Sequence, residues 1–541
     1  MMEMIRQRPV PRGDHRILYV SDPSTVARTF LPNPVGEQDL RRWVDMVADS
    51  GVDLFNQEVF SQGWTAYWQS DQYQYDQRHQ HKRFLPLFDA GIQPLDVIID
   101  QAHQRDMGFI AGFRINDGHA YQAREQGLDI AEFIVSHPEL QLTDLPEGQH
   151  YEQTEPLDFT FEEVRAFTAG VIEEVADRFA IDGVELCFRD CAYFPQGRGP
   201  ERASLMTEMV QTIRNLLNER SAKAGKHILL GARVHATVAE CASLGLDVPT
   251  WIRESLIDYV SPQDTMYADY NLPYEEWAAL TRGSDCLMYP GMLPWTSMRA
   301  RYRRKRISLS HANSRALAQS MYGAGADGLS VYNHFVPSLW QPPFYPQAMR
   351  VFHQLRDPDR VNQGERHYVF DPTWAGQTGF GGEGKCSSGV VKVNQLVLDR
   401  NCADATDEYR FNLFEDLQNT HGATLLFRGF GLTENDGLSI CLNGHLIPDD
   451  IIYRTGQSDA QPVDDNFVRV EDGREIPSVP EQGWFDFRSE QPRVFSTRWF
   501  ALPSEAVVQG ENGLSVTLTR SDTEARETVV VIDELEIFVE P

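Results

Sequence analysis

Short apolar runs alternate with amphipathic stretches from residue 16 to about residue 350. The runs are Ile17–Val20, Val52–Phe55, Phe109–Phe113, Gly183–Phe188, Ile228–Val234, Ile257–Val260, Cys286–Tyr289 and Gly328–Tyr332. Short runs rich in branched residues and bounded by polar ones predict buried strands. Between them, apolar positions recur at spacings of three and four, as in Leu40–Ala48, Leu95–His103, Phe161–Phe179, Leu205–Leu217 and Ser314–Tyr322. That spacing predicts helices packed by one face. Eight βα units over this length predict a (β/α)₈ barrel spanning residues 1–360 rather than an open doubly wound sheet. No G-x-G-x-x-G follows the first strand, which counts against dinucleotide binding.

The pattern changes near residue 365. Beyond it, short alternating runs separated by Gly, Asn and Asp predict strands at Ala423–Phe430, Leu438–Leu442, Trp499–Leu502, Leu514–Thr519 and Val529–Val539. Asn443-Gly444 lies between two of them and predicts a tight hairpin. Residues 366–541 carry 30 acidic against 14 basic side chains, which sets them apart as an acidic β-sandwich. A chain of 541 residues is too long for one ordinary core, in keeping with two domains.

The formal charge of −30 argues against nucleic acid or an anionic membrane as partner. No stretch approaches about 18 consecutive apolar residues, and the first residues lack the apolar core of a secretory signal. These features place the chain in the cytoplasm unless a leader has been removed. Seven scattered cysteines form no zinc-like pairs. Cys187 and Cys191 read as free thiols, and no metal or cofactor is expected.

In a (β/α)₈ barrel the active site is built at the C-terminal ends of the strands. There the chain places Ser21 and Asp22, then Asn56, Gln57 and Glu58, then Arg114, Asn116, Asp117 and His119. Glu185, Arg189 and Asp190 follow on the fourth strand, Arg233 and His235 on the fifth, Gln263 and Asp264 on the sixth. Tyr289 ends the seventh, and Asn333 and His334 end the eighth. Aromatics from the adjoining loops (Trp64, Tyr67, Trp68, Tyr73, Tyr75, Tyr193, Phe194, Trp295 and Trp340) are expected to frame the same mouth. Polar groups beside flat aromatic faces suit a carbohydrate. The basic run from Arg299 to Arg306 reads as a solvated helix face.

Glycoside hydrolysis needs one protonated and one ionised carboxyl. Glu185, in an apolar strand, is the first choice for the acid, and Asp264 for the second carboxylate. Asp117, Glu58 and Asp190 compete with them. The alternative for Glu185 is a structural ion pair with Arg189, Arg233 or Arg114, leaving proton transfer to another acid. On the first reading, Glu185→Gln and Asp264→Asn abolish turnover and leave thermal stability nearly unchanged. The remaining polar groups (Glu58, Arg114, Asn116, Asp117, His119, Arg189, Asp190, Arg233, His235, Gln263, Tyr289, Asn333, His334 and Trp340) are expected to bind the substrate.

The segment Pro94–Gly108 leading into Phe113-Arg-Ile-Asn-Asp117, together with Asp182-Gly-Val-Glu-Leu186, Arg233, Gly245-Leu-Asp-Val248, Trp251 and Gly325-Ala-Asp-Gly328, resembles the glycoside hydrolase family 10-like barrel proteins of planctomycete-type bacteria. The resemblance covers residues 16–350 and implies carbohydrate chemistry. The family typically shows Glu-Leu-Asp-Phe at the fourth strand, where this chain has Cys187. It also has no carboxylate in Met288-Tyr289-Pro290-Gly291 after the seventh strand, so the resemblance fixes neither retention nor inversion. The C-terminal part, with Leu-Ser-Ile-Cys-Leu-Asn-Gly-His and Val-Val-Val-Ile-Asp-Glu-Leu-Glu-Ile, resembles galactose-binding-like jelly rolls. The expected function is glycosidic bond hydrolysis in an oligo- or polysaccharide. Two alternatives stand beside it: a lyase or metal-dependent sugar-acid enzyme, whose strand-end arginines would clamp a carboxylate or sulfate, and a carbohydrate-binding protein without catalysis.

Overall fold

Successive side chains of a strand point to opposite faces, so a strand in a closed barrel packs helices on one side and fills the barrel with the other. The computed structural model describes residues 16–61, 63–117, 123, 126–128, 130–143, 156–188, 192–263, 268–293, 309–332, 334, 346–370, 396–448, 451–455, 468–471, 474–477, 495–525 and 527–541. Its strands β1 (Ile17–Ser21), β2 (Leu54–Ser61), β3 (Gly108–Arg114), β4 (Gly183–Cys187), β5 (Leu229–Val234), β6 (Tyr259–Pro262), β7 (Leu287–Met288 and Gly291–Met292) and β8 (Leu329–Tyr332) pair in parallel, each with the next. β8 pairs back onto β1 with Ile17 opposite Leu329. The two pieces of β7 divide the work of closure. Leu287–Met288 pairs with β6 and Gly291–Met292 with β8, and the Ser330 N–H donates to the Pro290 carbonyl at 2.9 Å between them. The sheet closes as the sequence predicts.

Helices Glu37–Ala48, Pro94–Gln104, Glu162–Arg178, Gly199–Ala224, Tyr274–Thr281 and His311–Gly323 cover the outside. Their apolar faces share one cluster with outward residues such as Phe55, Phe109, Val184 and Leu230. A second cluster fills the barrel: Leu18, Val20, Leu54, Ile110, Leu229, Tyr259, Leu287, Tyr289, Leu293 and Tyr332. Gly231 is required here, because a Cβ at this position would lie 2.0 Å from the Tyr259 ring.

The strands reach further toward their C-terminal ends than the apolar runs indicate. β2 continues through Asn56, Gln57 and Glu58, and β6 through Ser261 and Pro262. The alternation that turns Leu54 inward also turns Asn56 and Glu58 inward. Polar residues follow the apolar ones within the same strand rather than in a loop.

Strand Arg366–Phe370 opens the C-terminal region, pairing antiparallel with Val529–Glu540. The six-stranded sheet runs Arg366–Phe370, Val529–Glu540, Gly422–Phe430, Phe495–Ala501, Ile451–Thr455, with Leu396–Asp399 also on Val529–Glu540. A four-stranded sheet runs Ala405–Leu413, Gly510–Arg520, Gly437–Leu442, His445–Leu446. Asn443 and Gly444, at φ 51° and 85°, make the predicted hairpin turn. This region is joined to the barrel by the Asn313 amide on the His367 carbonyl (2.9 Å), the Gln319 amide on the Phe414 carbonyl (2.7 Å), and Asn271 paired with the backbone of Arg410 and Asn412. No helix among the described residues is long and apolar enough to cross a membrane.

Candidate active site

The inward residues at the C-terminal end of the barrel form two tiers of buried charge. In the lower tier, Arg233 Nε and Nη2 donate to the two Glu185 carboxylate oxygens at 2.9 and 3.2 Å. The Tyr259 hydroxyl donates to Glu185 Oε2 at 3.0 Å. Arg233 also donates to the Gln263 side-chain amide oxygen and, at 2.6 Å, to Ser330 Oγ. Arg233 is 0% exposed and Glu185 1%, so the pair stands without solvent. Burial works against the charge on Arg233, but Glu185, with Cys187 and Tyr259, holds the guanidinium above its ordinary value.

The upper tier is built around Arg114. Its Nε donates to Glu58 Oε1 at 2.9 Å and its Nη1 to Asp117 Oδ2 at 3.3 Å, while Asp22 Oδ2 lies 3.8 Å from Nη2. The Tyr332 hydroxyl accepts from Arg114 and donates to Glu58 Oε1 at 3.2 Å. All five side chains are buried. The Tyr332 ring centroid lies 6.0 Å from the Arg114 guanidinium carbon and 5.7 Å from that of Arg233, so one residue touches both tiers. Asp22 also caps helix Pro23–Thr29, accepting from the backbone N–H groups of Ser24 and Thr25. Burial opposes its ionisation, yet Arg114, the Thr25 N–H and Arg78 together hold it below the usual carboxylate range.

Beside this tier, Arg78 is bonded to Asp76, Ser24 and Tyr67, and His81 meets Ser24 Oγ at 2.9 Å. A cavity of about 40 Å³ lies between Glu58, Tyr67 and His81. That volume has room for water but not for a sugar ring.

The structure thus brings together Glu58, Arg114 and Asp117, and separately Glu185, Arg233 and Gln263. For Glu185 it shows the ion pair, with Arg233 as the partner. Breaking a buried pair is costly, so the stability-neutral Glu185→Gln expected from the strand pattern does not fit this geometry.

Other expected site residues have their contacts within the fold. Asn116, at φ 61°, spends its amide on the carbonyls of Leu157 and Ala192 and on the N–H of Leu157. Tyr289 lies inside the barrel, its ring 5.6 Å from that of Tyr259. His235 is buried 3.8 Å from Glu240. His334 packs on Phe352 and faces the Ala348 carbonyl at 3.4 Å. His119, Arg189, Asp190, Asp264, Asn333 and Trp340 lie outside the described residues, as do Cys191, Trp295 and the run 299–306.

The aromatic frame needs correction. Trp64, Trp68, Tyr193 and Phe194 are core residues, Trp64 against Phe159 and Phe167, and Tyr193 against Phe159 and Phe188. Large rings next to a helix bury more area in the core than at a mouth. Tyr67 stacks on His81 at 4.5 Å. Tyr259, Ser330 and Tyr332 also join the tiers, although they sit within apolar runs where no polar cluster marks them. Their signal is phase: each occupies the inward position of its strand, in step with Glu185 and Arg233.

Burial pushes the imidazoles of His81 and His334 down from 6.5 to about 4, so both are neutral near pH 7. Between pH 6.5 and 4 the unfolded chain takes up protons that the native state refuses, and stability falls as pH falls. Urea midpoints measured from pH 7 to 4 should drop across that window, and the slope should flatten in the His81→Gln/His334→Gln double variant. An unchanged slope in the double variant would contradict these assignments.

No curated protein matches the chain. Among solved structures, a GH138 enzyme targeting pectin rhamnogalacturonan II is similar at 11% identity and TM-score 0.36, over 65% of this chain and 40% of that one. An alpha-L-fucosidase isoenzyme 2 from Paenibacillus thiaminolyticus is similar at 10% identity and TM-score 0.39, over 63% and 48%. An endo-1,4-beta-mannanase from Rhizomucor miehei is similar at 12% identity and TM-score 0.36, over 60% and 87%. The matches span less than half the length of the first two. Residues 37–208, which hold β2 to β4 and so Glu58, Arg114, Asp117 and Glu185, match the family model described as Glycosyl hydrolase-like 10.

Proposed function

We propose that the protein hydrolyses a glycosidic bond in an oligo- or polysaccharide at the C-terminal face of the barrel. The observation that carries this reading is the convergence of Glu58 and Asp117 on one guanidinium, Arg114. Asp22 brings a third carboxylate to the same cation, and repulsion among three like charges around one guanidinium favours a proton on one of them. A protonated carboxyl beside an ionised one is what glycoside hydrolysis requires, the acid protonating the leaving oxygen and the carboxylate facing the cationic transition state. Glu185 is then a positioning residue: it fixes Arg233, and the Tyr332 ring carries that order to the tier above. Asp264 remains a third carboxylate to be tested by substitution. Residues 366–541 form the galactose-binding-like sandwich that accompanies the barrel.

One observation favours hydrolysis over a sugar-acid lyase. The arginines of β3 and β5 already hold Glu58, Asp117 and Glu185, so neither is set to clamp a substrate carboxylate. Incubating the full chain with a panel of neutral and acidic glycans and measuring new reducing ends tests the proposal. Hydrolysis of at least one substrate is expected. Binding without cleavage across the panel, or products with an unsaturated sugar absorbing in the ultraviolet, would overturn it.

A further inference from the structure

A second cavity, of about 340 Å³, opens where the first turn of helix His311–Gly323 meets the half-exposed face of the six-stranded sheet. Its volume lies within the range of small-molecule sites. Its floor carries aromatic rings from three strands. His367 stacks on Phe538 at 4.0 Å with 17° between the planes, and Phe538 lies nearly parallel to Trp499, at 6.1 Å and 13°. Thr424 sits opposite Phe538 on the strand between, and Ala312 closes the cavity from the barrel side.

The charges around it are arranged against an anion. The two basic side chains in the lining already have partners. Arg366 holds Glu415 at 2.7 and 2.9 Å, and His367 is bonded to Glu536. Glu365 and Glu540 stand exposed at the rim. A ligand entering here meets aromatic surface, a hydroxyl and carboxylate acceptors, with repulsion for a uronate or sulfate.

We infer that this cavity is a second, non-catalytic site that takes one neutral pyranose unit of a glycan. C–H faces of the sugar ring pack on the negative faces of the aromatic rings, and its hydroxyls donate to Glu365 and Glu540. The choice of a sugar as occupant rests on the glycosidase reading of the barrel. The site itself lies between helix His311–Gly323 and the six-stranded sheet and shares no residue with either tier.

The test is affinity electrophoresis of the full chain through gels containing neutral polysaccharides (starch, β-glucan, galactomannan) or anionic ones (polygalacturonate, alginate). At least one neutral polysaccharide should retard the protein. Trp499→Ala should raise the apparent Kd about tenfold or more. Ala312→Trp, which fills the cavity while leaving the rings in place, should do the same, with hydrolysis of a short soluble substrate unchanged in both variants. Retardation that survives in both variants, retardation by anionic polymers alone, or no retardation by any of the five would overturn the inference. The two readings fail separately. Turnover without Trp499-dependent retardation removes this site and leaves the hydrolase, whereas Trp499-dependent retardation without turnover does the reverse.

Discussion

Asp117→Asn and Glu58→Gln should each lower kcat/KM on a cleavable glycan by about 10²–10⁴-fold, the range lost when a positioned acid or base is removed. Both changes keep the shape of the side chain, and Arg114 retains two of its three carboxylate neighbours in each variant, which limits structural damage. What they remove is the ionisable carboxyl. Melting each variant beside the parent separates a lost proton donor from a lost fold. The two positions should not behave alike with pH. Removing the acid should abolish the limb of the pH–rate profile set by its ionisation, and removing the base the opposite limb. Full activity in both variants would move catalysis elsewhere on the barrel face, and Asp264→Asn would then be the next variant.

The second large effect concerns stability. Glu185→Gln should cost about 3–5 kcal/mol in urea unfolding, because Arg233 would keep its charge in a site without solvent after losing its counter-ion. Arg233→Met should cost a similar amount by stranding Glu185. The double variant Glu185→Met/Arg233→Met should recover much of the loss, since well-packed apolar residues often replace a buried ion pair at little cost. A Glu185→Gln protein as stable as the parent would show that the pair is not closed in solution. Recovery of stability with poor turnover in the double variant would identify Glu185 and Arg233 as positioning residues beneath the site.

The barrel was legible because its strands are buried on both faces and announce themselves as apolar runs between amphipathic helices. The inward-facing polar residues were legible only in part. Glu185 stands out in Val-Glu-Leu, and Asp117 and Glu58 are visible near strand ends. Which arginine meets which acid depends on register between strands far apart in the chain. Glu185 lies opposite Gly231, two residues from Arg233, and Glu58 opposite Gly112, two from Arg114. No local pattern encodes those pairings. Tyr332 was hidden for another reason. Within Leu329-Ser-Val-Tyr332 it reads as one more apolar residue, and only the alternation of the strand turns its hydroxyl toward Glu58. The aromatics misled because Trp64 and Trp68 follow β2 in sequence as mouth residues would, yet a ring beside a helix gains more by burial.

The most direct test of the two-tier account is a structure of the Asp117→Asn protein with an uncleaved glycan bound. The account predicts the glycosidic oxygen within about 3.2 Å of the Glu58 carboxyl or the residue 117 side chain, with Glu185 still paired to Arg233 below it. The separation of the two flanking groups would also report stereochemistry, about 5–5.5 Å for retention and about 6.5–9.5 Å for inversion. A glycan seated with Glu185 released from Arg233 and against its scissile bond would contradict the account.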